Sequence, residues 1–184
     1  MELIGPYLAA CMLLAVAGAV KTVRPMDTAR ALVAVVPVPL TGARLLVRVG
    51  AAAEAVVGVA AIVHPAPVTA SLVAVSYVGF AAFVTVVLVR GGPLATCGCF
   101  GTPDTPATRL HVVVDLALAA SAVVVAASVP AQSLWALLSS QPWDGVPLML
   151  VSVLCAWLVY LAMTRLGEVG AARRLLGITR GAAT

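Results

Sequence analysis

The feature that most constrains this chain is a set of long stretches, each close to the length of a bilayer span, that carry almost no charge. A helix needs about 20 apolar residues to cross roughly 30 Å of hydrocarbon, and within that layer it must satisfy its own backbone N–H and C=O groups. Such runs extend from about Glu2 to Val20, Arg44 to Val63, Val68 to Val89, Leu110 to Val129 and Val146 to Met163. Charge, proline or glycine closes each one. Across the 184 residues, 62% are apolar and 10% charged, whereas a soluble domain carries about 25% charge. That excludes a water-soluble globule, a disordered chain and a coiled coil, and four cysteines are too few for a disulfide-stapled module.

The expected architecture is all-α, a polytopic membrane bundle of about five transmembrane helices. It forms a single domain over residues 1–164, followed by a basic cytoplasmic tail over residues 165–184. Abundant Ala, Val and Gly suit helices that pack closely without a water-driven core. Residues 31–43, ALVAVVPVPLTGA, are too short and too proline-broken to span, so an interfacial or half-inserted segment is expected. The first run lacks a basic leader and is followed by Lys21 and Arg24, which marks it as a retained helix rather than a cleaved signal.

Orientation follows from the eleven basic residues. Lys21, Arg24, Arg30, Arg44 and Arg48 lie between or at the edges of the first two runs. Arg90 and Arg109 flank the loop between the third and fourth, and Arg165, Arg173, Arg174 and Arg180 follow the fifth. All fall on one side, which predicts an external N-terminus and a cytoplasmic C-terminus, with Trp135 and Trp143 as interface anchors on the outer side. The net charge of +4 thus signals topology and attraction to anionic lipid, with no support for nucleic-acid binding.

Between the third and fourth runs lies GGPLATCGCFGTPDTPATRLH, rich in Gly, Pro and Thr, with Cys97 and Cys99 separated only by Gly98. Thiols this close form a small, strained ring, and strain makes a disulfide easier to reduce. Arg90, Arg109 and the amino end of the following helix favour thiolate, the reactive form. A catalytic redox pair is therefore expected at Cys97 and Cys99. The chemical alternative is a soft-metal (Cu or Zn) binding or transport protein, with His111 or a third cysteine completing the shell. The bland alternative is two small residues in a tight loop.

Cys11 and Cys155 lie near the middles of the first and fifth runs and are candidates for a buried redox relay, or simply small apolar side chains. Glu54 sits about ten residues into the second run, where a charge needs a partner or a proton, so it is a candidate polar or proton-transfer site. Its structural alternative is a protonated carboxyl bonded to a neighbouring helix. His111 and Asp115 are four apart and share a helical face, suited to proton transfer beside the thiols or to a simple ion pair in the headgroup region. The working cofactor on this reading is a redox disulfide, with a quinone or a soft metal as the alternatives; the nine aromatics are too scattered to outline a quinone pocket.

A basic turn after the first helix, the second helix AAAEAVVGVAAIV built around an acid, and CGCFG ahead of a helix with polar opening residues resemble the methylamine-utilisation protein MauE family. That family falls within the wider DoxX-like group of small membrane proteins with a four-helix core, here plus one. The resemblance covers roughly residues 1–130, with CGCFG its most specific part. It implies a membrane component supporting thiol-disulfide exchange with a thioredoxin-like partner, in maturation or redox maintenance of exported proteins. It marks Cys97 and Cys99 as the redox pair and Glu54 as the matching acid. The resemblance implies service to exported disulfides, while the basic residues place CGCFG on the cytoplasmic side. A relay through Cys11 and Cys155 would connect the two. A non-enzymatic assembly subunit of a larger membrane complex is the remaining alternative.

Overall fold

The computed structural model describes residues 4–90, 108–128 and 133–181. Its regular elements there are α1 (Ile4–Val23), α2 (Met26–Val33), α3 (Leu40–Val63), α4 (Pro67–Arg90), α5 (Arg109–Ser128), α6 (Leu134–Ser139), a 3-10 turn (Pro142–Gly145) and α7 (Val146–Gly181). Five of these helices, α1, α3, α4, α5 and the Val146–Thr164 part of α7, are long and apolar enough to cross a membrane. The protein is a polytopic helix bundle, as the apolar runs require.

The boundaries differ from the sequence reading in ways that have local causes. The first span does not end at Lys21: α1 runs to Val23 and takes the lysine inside its last turn. The second begins at Leu40 rather than Arg44, because Pro39, with φ −63° and ψ 144°, supplies an extended residue from which a helix can start. Residues 31–43 do not span; they divide between the end of α2, a short connection, and the first turn of α3. The last helix does not stop at Thr164. It continues unbroken to Gly181, a length of 36 residues, or about 54 Å at 1.5 Å per residue, so the segment read as a tail prolongs the fifth span as helix.

Helix α1 is the centre of the bundle: 67% of its span is buried, against 17% for α3 and 11% for α7. It packs chiefly on α3 and also meets α4, α5 and α7, while α4 and α5 form the second close pair. Small residues explain the α1–α3 contact. A Cβ built on Gly18 would lie 2.6 Å from the Ala51 carbonyl oxygen and the Ala55 nitrogen, and one on Gly58 would lie 2.6 Å from the Ala15 nitrogen. The two backbones therefore touch antiparallel at two places, each of which admits only glycine.

Two tyrosines bind the bundle together through carbonyls of other helices. Tyr77 of α4 donates to the Ala10 carbonyl at 2.7 Å, and Tyr7 of α1 donates to the Ala61 carbonyl at 3.5 Å. The hydroxyls of Ser71, Ser76 and Thr85 donate instead to carbonyls one turn back on their own helix, which satisfies them in lipid. At the end opposite Lys21, the 3-10 turn leads into α7 with Trp143 at φ 54° and Gly145 at φ 71°. Trp135 and Trp143 are both exposed there, at 76% and 84%.

Candidate functional site

Cys97 and Cys99 lie outside the described residues. Helix α4 ends at Arg90 and α5 begins at Arg109, and because these helices pair antiparallel, both attachment points of the cysteine segment fall at one end of the bundle. The end of α1, with Lys21, and the start of α3 fall at the same end, as the contacts of Gly18 and Gly58 require. Cys11 is buried in α1 and Cys155 half-buried in α7, and both are free thiols. The expected pairing of these two is thus not formed, although their helices are in contact.

Glu54 has a partner that sequence reasoning missed. Lys21 Nζ donates to Glu54 Oε2 at 2.5 Å, with side-chain exposures of 7% and 20%. Helix geometry explains the meeting. Cα–Cβ bonds tilt toward a helix's amino end, so Lys21, in the last turn of α1, leans back into the bundle instead of out toward headgroups. Glu54 on antiparallel α3 leans toward the end from which the lysine comes. The ammonium also lies 4.4 Å from the centre of the Phe80 ring, close enough for cation–π attraction. A signal for this partner was present: an acid in mid-span needs a cation, and Lys21 ends the neighbouring helix of the hairpin.

His111 and Asp115 share a face of α5 as their spacing indicates, and both are buried, at 1% and 4% exposure. They do not form the simple ion pair that was the alternative reading. The His111 ring bonds through Nδ1 to Thr108 Oγ1 at 2.8 Å, while its Nε2 has no hydrogen-bond partner among the described residues. Asp115 makes no hydrogen bond or salt bridge among them. It faces instead the cavity that also receives the lysine and Glu54.

That cavity, about 250 Å³, occupies the basic end of the bundle. Lys21, Leu13 and Ala17 of α1, Glu54 and Gly50 of α3, and Asp115 and Leu118 of α5 contribute to its lining. Tyr77, Phe80 and Phe83 of α4 form an aromatic wall, Thr28 and Leu32 of α2 close the end, and Met163 of α7 completes it. One cation and two acids thus converge on a space otherwise walled by apolar side chains. Such a site can hold a ligand with both an apolar body and polar atoms, or exchange protons with one.

No curated protein and no solved structure matches the chain. The family described as methylamine utilisation protein MauE matches residues 2–128, a range that holds the cysteine pair, the Lys21–Glu54 pair, and every residue of the cavity lining except Met163. This multi-pass membrane protein therefore belongs to the MauE family.

Proposed function

We propose that this protein supports thiol-disulfide exchange at the membrane, with Cys97 and Cys99 as the working pair and a thioredoxin-like protein as its partner, in maturation or redox maintenance of exported proteins. The observation that carries the reading is the Cys97-Gly98-Cys99 sequence in a segment whose two attachment points are the basic residues Arg90 and Arg109. Positive flanks favour thiolate, and thiolate is the attacking species in exchange. His111 and Asp115, within the first two turns of α5, supply protonatable groups at the same end of the bundle. The eleven basic residues place that end in the cytoplasm.

The test is labelling of Cys97 and Cys99 in intact cells and in inverted vesicles with a membrane-impermeant maleimide, with and without prior reduction. Exchange predicts that mild oxidation protects both positions together and that a dithiol reductant restores them, and the cytoplasmic placement predicts labelling in inverted vesicles only. If both thiols remain freely alkylated after oxidation, thiol exchange at this pair is wrong. Labelling in intact cells would instead reverse the orientation.

A further inference from the structure

The cavity at the basic end has features that the thiol reading does not use. Its Asp115 is 4% exposed and finds no hydrogen-bonding partner among the described residues, although burying a carboxyl without one is costly. A buried polar group that faces an open space is accounted for if something bonds to it there.

The shape of the cavity restricts what that something is. Gly50 and Leu46 belong to its lining and are exposed, Leu46 at 61%, on a helix whose outward face is turned to lipid. An occupant therefore enters from the bilayer. Pockets for drug-sized ligands measure about 300–1,000 Å³, so about 250 Å³ fits a single substituted ring with its chain outside. A plain acyl chain would leave Lys21 and Asp115 facing hydrocarbon. A ring with an oxygen at each of two edges satisfies both, and its faces suit Phe80 and Phe83.

We propose that the cavity binds the head group of a lipid-soluble quinone. The ring packs against Phe80 and Phe83, one oxygen accepts from Lys21 Nζ, the other lies at Asp115, and the hydrocarbon tail leaves past Gly50 and Leu46. All these residues lie outside the cysteine segment, so the site stands apart from the thiol reading.

The test uses the full chain in detergent, photolabelled with an azido-benzoquinone carrying a ten-carbon chain, competed with decylubiquinone, and mapped by peptide mass spectrometry. The expected result is saturable, competed labelling of peptides from α3 and α4. Asp115→Asn and Lys21→Met should weaken competition by about tenfold or more, as expected when a buried hydrogen-bond partner is lost. Gly50→Leu keeps the argument independent of folding, since a Cβ at Gly50 meets nothing within 4 Å. That variant should fill the cavity and abolish labelling without lowering the thermal midpoint. The double variant Cys97→Ser, Cys99→Ser should label as the wild type does, which separates a failure here from a failure of the thiol reading. Uncompeted labelling spread over all lipid-facing helices would overturn the proposal, as would wild-type labelling of folded Gly50→Leu. Equal competition by palmitate would assign the cavity to an acyl chain instead.

Discussion

Replacing Lys21 by Met, Glu54 by Gln, and both together tests the pair at the centre of the bundle. The ammonium is 5% exposed as a residue and its partner lies 2.5 Å away. At an effective dielectric of about 20, unit charges this close attract by on the order of 5 kcal/mol, and desolvation offsets much of it. Removing one member of a buried pair costs about 3–5 kcal/mol, because the other charge is stranded, whereas replacing both is close to neutral. Glu54 keeps some exposure, with 20% of its side chain accessible, so about 2–4 kcal/mol is expected for Lys21→Met. Glu54→Gln should cost less, since Lys21 retains Phe80 and Asp115 shares its cavity. Lys21→Met in turn leaves two acids without the only cation in that lining. The double variant should fall within about 1 kcal/mol of wild type. Reversible unfolding in mixed micelles, followed by circular dichroism, gives the three differences. A coupling below about 0.5 kcal/mol, with the single costs simply adding, would refute the pairing.

Two further outcomes test the packing. Gly58→Ala places a methyl 2.6 Å from the Ala15 nitrogen and 2.8 Å from the Cys11 carbonyl oxygen, so the helices must separate at a cost of about 1–3 kcal/mol or more. Gly79→Ala, where an added Cβ meets nothing within 4 Å, should be neutral or stabilising by up to about 1 kcal/mol. The same unfolding assay ranks them, and equal effects would contradict the α1–α3 contact. Tyr77→Phe removes the hydroxyl from the Ala10 carbonyl and should lower stability by about 0.5–1.5 kcal/mol, with a midpoint equal to wild type counting against that bond.

The number of spans was legible in the sequence because hydrocarbon thickness sets one length scale and backbone satisfaction permits one secondary structure within it. The shared face of His111 and Asp115 was legible for a similar reason, since i,i+4 spacing is local. Lys21 was not, because a basic residue after an apolar run has two readings. One turn of extra helix, to Val23, changes it from a flank of the membrane into a group inside the bundle. Arg48, two turns before Glu54 and an equally plausible partner by spacing, instead donates through Nε to the Thr22 carbonyl at 3.2 Å. The cavity was illegible because six helices contribute to it, each with residues that are ordinary for a membrane span. Phe80 and Phe83 gain meaning only when α4 turns them toward Lys21. The cysteine pair, the most visible feature of the sequence, lies outside the described residues.

The ion pair also bears on how the site came to hold charge. Helices α1 and α3 are already held by backbone contact at Gly18 and Gly58, and Tyr77 joins α4 to α1 independently. A buried pair that nearly breaks even against apolar replacement adds little to such a bundle. Lys21 and Glu54 gain more from their position than from their attraction: they put a hydrogen-bond donor and an acceptor on the wall of a lipid-facing cavity, held in place by each other. Asp115 enters the same space from α5 with no partner to hold it. Stability alone would favour three apolar side chains there. The retention of a fixed pair beside a free acid is what a polar ligand, or protons passing to one, requires.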